Sequence, residues 1–145
     1  MIEVEATGRL EFGALRRAIE RGDTDSLLAF YADDAEVRVQ AHASVLNKGA
    51  SPFEVRGKQQ IGRYLGAVYG RPVVRRRLRN EEVGEGRVAF EEECEYPDGV
   101  RVSVLTTLEI NDGRISRQVD EVLTPTRVVD EEGGGRGNRE QERTT

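Results

Sequence analysis

The chain has 145 residues, of which 37% are hydrophobic and 34% charged, and its formal net charge is −5. This length predicts one domain with a short tail, and no stretch approaches the roughly 20 apolar residues of a membrane-spanning helix. The acidic balance argues against nucleic acid as a partner, because such binding rests on positive charge.

Cysteine and histidine usage sets further limits. The single Cys94 excludes an internal disulfide and fits a reducing compartment, and one His with one Cys cannot supply a His/Cys zinc site. The N-terminus "MIEVEATGRLEFG" lacks the basic and apolar segments of a secretion signal. We therefore expect a cytoplasmic protein that uses no metal or cofactor and does not bind membranes.

The first half of the chain predicts helices. In "LEFGALRRAIERGD" apolar residues recur at helical spacing, and Gly22 ends the helix. A second helix is predicted over "DTDSLLAFYADDAEV", with Asp23 as its N-cap. "EVRVQAH" predicts a strand and "ASVLNKGASP" a loop. The third helix is predicted over "VRGKQQIGRYLGAVYGR", whose apolar stripe includes Tyr64.

The second half predicts a meander of strands after Pro72. Its four segments are separated by the glycine turns "GEG", "PDG" and "NDG", and they read "VVRRRLRN", "RVAFEEECEY", "VRVSVLTTLEI" and "RISRQVDEVLT". Helices followed by such a meander predict an α+β domain over residues 1–126. Residues 127–145 are polar and glycine-rich, which predicts a disordered tail.

Alternation along the strands predicts which side chains are buried. In the second meander strand the inward set is Val88, Phe90, Glu92, Cys94 and Tyr96, and in the third it includes Thr106. A hairpin folded about Gly84 sets Arg75 opposite Glu93 and Arg77 opposite Glu91 on the outer face. The same register sets Arg76 opposite Glu92 inside, which explains the "RRRLR" run without nucleic acid.

The last strand is ambiguous, because both of its faces mix polar and apolar residues. One face carries Ile115, Arg117, Val119 and Glu121, and the other carries Ser116, Gln118, Asp120 and Val122. If the second face is inside, then Asp120 is a carboxylate within a small domain.

The order of elements and four short motifs resemble the NTF2-like superfamily, in particular its SnoaL-like branch. The motifs are Gly22-Asp23, "YADDA" before the first strand, Arg56-Gly57 at the third helix, and "NDGRI" before the last strand. The resemblance implies a cone, with three N-terminal helices packed on a curved, mainly antiparallel sheet around an interior pocket. It also implies that Gln118, Asp120 and Val122 face inward, and that the protein forms a homodimer through the outer sheet face.

The resemblance implies no single activity, because the superfamily holds isomerases, cyclases, dehydratases, epoxide hydrolases and non-catalytic members. The catalytic positions of its ketosteroid isomerases correspond here to Leu15, Val39 and Thr106, which excludes that chemistry. The two second-strand positions of limonene-type epoxide hydrolases hold Glu92 and Cys94. Only the last-strand carboxylate is retained, as Asp120, and this residue also matches the acidic residue of SnoaL-type cyclases.

Three residues are therefore candidate catalytic groups. Asp120 is predicted to act as a general acid or base with a pKa raised by burial, and its structural alternative is a hydrogen-bonded or exposed carboxylate. Glu92 is either a second pocket carboxylate or the neutralised partner of Arg76. His42 is either a titrating group at the pocket rim or a solvated loop residue.

The remaining candidates are pocket-lining residues, and they are Tyr31, Tyr64, Arg76, Phe90, Thr106 and Gln118. Two classes of function stay open. The first is a cofactor-independent acid/base enzyme acting on a small, largely apolar molecule. The second is a non-catalytic module for ligand binding or dimerisation.

Overall fold

Three helices begin and end at capping residues in the computed structural model, which describes residues 10–41 and 52–127. They are α1 (Phe12–Arg21), α2 (Thr24–Leu28) and α3 (Gly57–Tyr69). Gly22 ends α1 with a left-handed φ of 67°, which allows its N–H to reach the last carbonyls of the helix. Asp23 then caps α2 by accepting a hydrogen bond from the Ser26 backbone N–H.

The seven strands within residues 10–41 and 52–127 form one sheet in the order β2-β1-β6-β5-β4-β3, with β7 paired to β5. Among the described strands, the β1–β6 pair is parallel and the other pairs are antiparallel. The strands are β1 (Tyr31–Ala41), β2 (Phe53–Arg56), β3 (Arg75–Gly84), β4 (Arg87–Glu95), β5 (Val100–Asn111), β6 (Arg114–Val122) and β7 (Thr126–Arg127). The predicted α+β class, with helices packed on a curved and mainly antiparallel sheet, is confirmed.

The core lies between the helices and the inner face of this sheet. It joins Leu15 and Ile19 of α1, Leu27 of α2 and Ile61 of α3 to buried strand residues such as Ile115. Each fully buried aliphatic side chain of this kind contributes about 1.5–3 kcal/mol of transfer free energy. None of the described helices is long and apolar enough to cross a membrane.

The second helix is much shorter than predicted, because the chain turns into β1 at Tyr31. The helix ends at Leu28, and the Phe30 carbonyl accepts a hydrogen bond from the Ile115 backbone N–H of β6. Pairing with β6 therefore overrides the local helical pattern of "FYADDAEV". A second error concerns β2, because no strand was predicted between the loop that ends at Pro52 and the third helix, whereas Phe53–Arg56 pair with β1.

The predicted β3–β4 register is wrong by two residues. Arg75 lies opposite Glu95, Arg76 opposite Cys94 and Arg77 opposite Glu93. The error comes mainly from the position of the turn, because Gly84 pairs with Arg87 and the hairpin is therefore centred after Glu85 rather than at Gly84. The register irregularity between Arg79 and Glu82 takes back one residue of that displacement. A shift of two leaves each side chain on its predicted face.

A similar irregularity resolves the mixed faces of β6. The β5–β6 register shifts near Ile110, which pairs with Ile115 while Glu109 pairs with Arg117. In a regular strand Ile115 and Gln118 would lie on opposite faces, because they are three residues apart. The extra residue in β6 allows both side chains to point inward. The prediction that Ile115 shares the face of exposed Arg117 is therefore wrong, whereas Gln118 and Asp120 are both buried.

Two sequence predictions fall mostly outside the described residues. His42 lies outside them, as do residues 128–145 of the predicted tail. Arg127, the first residue assigned to that tail, belongs to β7, and its Nη1 donates to the Asp98 carbonyl at 2.8 Å.

Candidate functional site

A cavity of about 80 Å³ lies between the helices and the sheet. One ordered water needs ~10–15 Å³ measured this way, so the cavity has room for a small molecule or several waters. Apolar side chains from all three helices cover one side, and polar side chains project from the sheet. The lining residues are Leu15, Ile19, Leu27, Tyr31, Tyr64, Leu65, Val68, Tyr69, Phe90, Glu92, Cys94, Tyr96, Val102, Val104, Thr106, Leu108, Ile115, Gln118 and Asp120.

Asp120, on β6, is buried and accepts hydrogen bonds from three side chains. Thr106 Oγ1 of β5, the residue directly opposite, donates to Oδ1 at 2.9 Å. Tyr64 of α3 donates its hydroxyl to Oδ2 at 2.8 Å, and the Gln118 amide lies 3.0 Å from both oxygens. Tyr31 extends the network by donating its hydroxyl to Gln118 Oε1. Both oxygens of Asp120 are therefore occupied by donors.

Burial raises the pKa of Asp120 above its ordinary value, while hydrogen bonds from Tyr64, Gln118 and Thr106 act in the opposite direction. These donors favour the charged form, because each aims an N–H or O–H at a carboxylate oxygen. These hydrogen bonds fix the orientation of the Asp120 carboxyl group.

Glu92, on β4, is the second buried carboxylate of the cavity. Tyr69 of α3 donates its hydroxyl to Oε1 at 3.0 Å, and the Cys94 thiol lies 3.7 Å from Oε2. The Arg76 guanidinium also lies close to this carboxyl group, with its Nε 3.5 Å from Glu92 Oε2. Glu92 and Asp120 are separated by β5, so their strands are about 10 Å apart.

Burial raises the pKa of Glu92 to about 7, and the Asp120 charge adds to the rise. The Tyr69 hydrogen bond and the Arg76 cation lower it by less than burial raises it. Glu92 therefore exchanges its proton close to neutral pH, which suits a general acid or base.

The other titratable groups of the cavity stay protonated at neutral pH. Burial raises the pKa of the Tyr31, Tyr64 and Tyr69 hydroxyls, so they remain hydrogen-bond donors. Burial also raises the pKa of the Cys94 thiol, which makes it a poor nucleophile.

Most of the residues that the sequence singled out meet in this cavity. Asp120, Glu92, Tyr31, Tyr64, Phe90, Thr106 and Gln118 all line it. Arg76 is absent from the lining and contacts Glu92 and the Tyr69 ring instead. Sequence reasoning missed Tyr69, although its spacing of four from Leu65 places it on the inner stripe of α3.

No group of three or more His, Cys, Asp or Glu side chains suited to a metal ion occurs within residues 10–41 and 52–127.

The helices, the curved sheet and the cavity between them define the NTF2-like fold, and solved structures agree. An NTF2-like protein of unknown function from Burkholderia xenovorans LB400 superposes with a TM-score of 0.62 at 15% identity, covering 88% of this chain and 89% of the other. A SnoaL-like protein of unknown function from Burkholderia thailandensis E264 gives 0.57 at 20% identity, covering 84% and 98%. A proposed polyketide cyclase from Sinorhizobium meliloti gives 0.54 at 21% identity, covering 75% and 91%. These likenesses show the fold alone.

Within that fold the chain belongs to the SnoaL-like domain family, whose model matches residues 12–118. The match confirms the resemblance seen in the sequence motifs. A search of curated proteins found no match.

Proposed function

We propose that this SnoaL-like domain binds a small, largely apolar molecule in its cavity and transfers a proton through Glu92. The observation that carries the proposal is the pair of buried carboxylates, Glu92 and Asp120, in a cavity otherwise lined largely by apolar and aromatic side chains. Such groups are costly to bury, and pairs of this kind with perturbed pKa values are concentrated at functional sites.

The two carboxylates have different roles in this proposal. Asp120 is the fixed anion, because Thr106, Tyr64 and Gln118 hold both of its oxygens. Glu92 is the titrating group, because its pKa of about 7 allows it to give and take a proton near neutral pH. Environments that separate two carboxylates in this way define acid/base assignments in other enzymes.

Isomerisation, cyclisation, dehydration and hydrolysis are all compatible with these roles, because each uses proton transfer at the substrate. A structural neighbour described as a proposed polyketide cyclase supports this class of chemistry by analogy.

Deuterium exchange tests proton transfer without a known substrate. The protein is mixed with cyclohexanone in D₂O, and deuterium at the carbon beside the carbonyl is followed by NMR. We expect exchange faster than in buffer, and loss of the acceleration in Glu92→Gln. Arg75→Gln is the control, because Arg75 lies exposed on the same hairpin. Binding without acceleration would identify a non-catalytic ligand-binding module.

Assembly and location complete the proposal. We infer a homodimer through the outer sheet face, where half-buried Leu105, Thr107 and Val119 lie among charged residues. The single Cys94 fits a reducing compartment and supports a cytoplasmic location.

A further inference from the structure

Arg76 is a buried cation whose hydrogen-bonding capacity is only partly used within the described residues. Its side chain is 4% exposed, and its Nε and Nη2 have no hydrogen-bond partner. The guanidinium lies 4.5 Å from the centre of the Tyr69 ring, and its Nε lies 3.5 Å from Glu92 Oε2 without hydrogen-bond geometry. Buried N–H groups left without acceptors are costly, which indicates that an acceptor is missing.

The opposite end of the cavity has no such spare donors. Tyr64 and Thr106 donate to Asp120, Tyr31 donates to Gln118, and the Gln118 amide donates to Asp120. A ligand oxygen placed there would meet donors that are already engaged. The two ends of the cavity therefore differ in what they offer a ligand.

We propose that the Glu92 end of the cavity, which is lined by Tyr69, Glu92 and Cys94 and has Arg76 in contact with Glu92, binds a neutral acceptor oxygen carried by a small apolar molecule. This inference rests on the proposed function, because it names the ligand class and the orientation of the ligand in the same cavity. The oxygen accepts from Arg76 and from protonated Glu92. The apolar body then extends along Leu15, Ile19 and Leu65 of the helices.

A neutral oxygen fits this end better than an anionic group. The cavity already holds the carboxyl groups of Glu92 and Asp120 against the one guanidinium of Arg76, so a further anion would leave excess negative charge in a poorly solvated place. A carbonyl or ether oxygen supplies lone pairs without that cost. Because Arg76 Nε lies 3.5 Å from Glu92 Oε2, the oxygen takes the place of Glu92 Oε2 beside the guanidinium.

Protonation of Glu92 is coupled to this binding. The protonated carboxyl donates to the ligand oxygen, whereas the carboxylate repels it, so affinity falls as pH rises through the Glu92 pKa of about 7. The other charged or titratable groups that act on Glu92 come from five parts of the fold, and they are Arg76 of β3, Tyr64 and Tyr69 of α3, Tyr31 of β1, Asp120 of β6, and Cys94 and Tyr96 in and after β4.

Two probes of similar shape test the orientation by NMR titration of cavity amides. Cyclohexanone carries the oxygen, and methylcyclohexane lacks it. For each probe, the affinity of a variant is compared with the affinity of the wild-type protein for that same probe. In Arg76→Met we expect cyclohexanone to bind about tenfold more weakly, while methylcyclohexane changes by less than about twofold. Arg75→Gln, with the same loss of charge on the neighbouring exposed residue, should change neither probe.

Glu92→Gln provides the second arm and keeps the test valid if Arg76→Met does not fold. Its amide still donates but no longer titrates, so cyclohexanone affinity should lose its dependence on pH between about pH 6 and about pH 8. Wild-type affinity should fall severalfold over the same range.

The outcomes separate the two proposals. Suppose that both probes bind and that the affinity for cyclohexanone changes neither in Arg76→Met nor with pH. Water is then the acceptor for the Arg76 N–H groups. In that case the proposed oxygen subsite is wrong, but the proposal that the cavity binds a small molecule is retained. If neither probe perturbs cavity amides in the wild-type protein, the proposed function and this inference both fail.

Discussion

Asp120 is held by hydrogen bonds from two strands and a helix, so its contacts can be removed one at a time. Tyr64→Phe deletes the hydroxyl that lies 2.8 Å from Oδ2 and leaves the ring in place. We expect a loss of about 1.5–3 kcal/mol in the free energy of unfolding at neutral pH, because the bond is made to a buried charged group. Urea denaturation measures this loss.

Tyr96→Phe is the matched control, because the Tyr96 hydroxyl makes no hydrogen bond within the described part of the chain. Its ring lies under Arg71, 4.4 Å from the guanidinium carbon, and stays there in the variant. A loss as large as that of Tyr64→Phe would show that the Asp120 hydrogen bond is not the cause.

Glu92 makes stability depend on pH in a defined direction. Its pKa is raised from 4.5 to about 7, so between these values the folded protein keeps a proton that the unfolded chain has released. Its contribution to stability is therefore present below about pH 4.5 and is lost as pH rises to about 7, by about 3 kcal/mol. Glu92→Gln should gain stability relative to wild type across that interval.

Urea denaturation of both proteins at several pH values gives this difference. A difference that stays constant from about pH 5 to about pH 8 would mean that Glu92 has an ordinary pKa in the folded protein.

At the scale of elements, the end of α1 is coupled to the cavity through Arg76. Gly22 has a φ of 67°, and a Cβ added there would lie 2.8 Å from Arg76 Nη1. Gly22→Ala should cost about 1–2 kcal/mol of stability from backbone strain and should displace the guanidinium. We expect the Glu92 pKa to rise, because the nearby cation lowers it in the wild-type protein.

Gly86→Ala provides the comparison for this prediction. Gly86 also has a positive φ, of 72°, but a Cβ there meets only the Ile110 carbonyl at an ordinary 3.7 Å. It should lose similar stability and leave the Glu92 pKa unchanged. Equal shifts of that pKa in both variants would contradict the coupling.

Elements with strong periodicity were predictable from sequence, and those set by pairing were not. The meander strands and α3 carry regular alternation or a clear apolar stripe, so their positions agree closely with prediction. The segment after Leu28 has helical spacing yet forms β1, because pairing with β6 satisfies its backbone. Register irregularities in β3 and β6 also leave no local signal, since an extra residue is revealed only by its partner strand.

The residues of the site were predictable where strand alternation or the family resemblance fixed the face on which they lie. Alternation placed Glu92 and Thr106 inside, and the family resemblance placed Asp120 and Gln118 there. The unused N–H groups of Arg76 could not be foreseen, because they depend on the separation of two side chains across the β3–β4 register.

At the scale of the whole molecule, we expect a homodimer built on the outer sheet face. Salt bridges among Arg77, Arg79, Arg101 and Glu93 cover the β3–β5 side of that face, so the area around the apolar side chains of Leu105 and Val119 is the expected contact. Light scattering should give twice the chain mass of 16.2 kDa. Leu105→Glu should return the protein to the chain mass, and a monomeric wild type at micromolar concentration would contradict the prediction.

The titration of the Glu92 side-chain carboxyl by carbon-detected NMR tests the central claim most directly. The signal is assigned by its absence in Glu92→Gln. We predict a midpoint near 7 in the free protein, and an upward shift when cyclohexanone occupies the cavity. A midpoint near the ordinary value of 4.5 that does not respond to the ligand would contradict the claim that Glu92 is the proton-transfer group of a ligand-binding cavity.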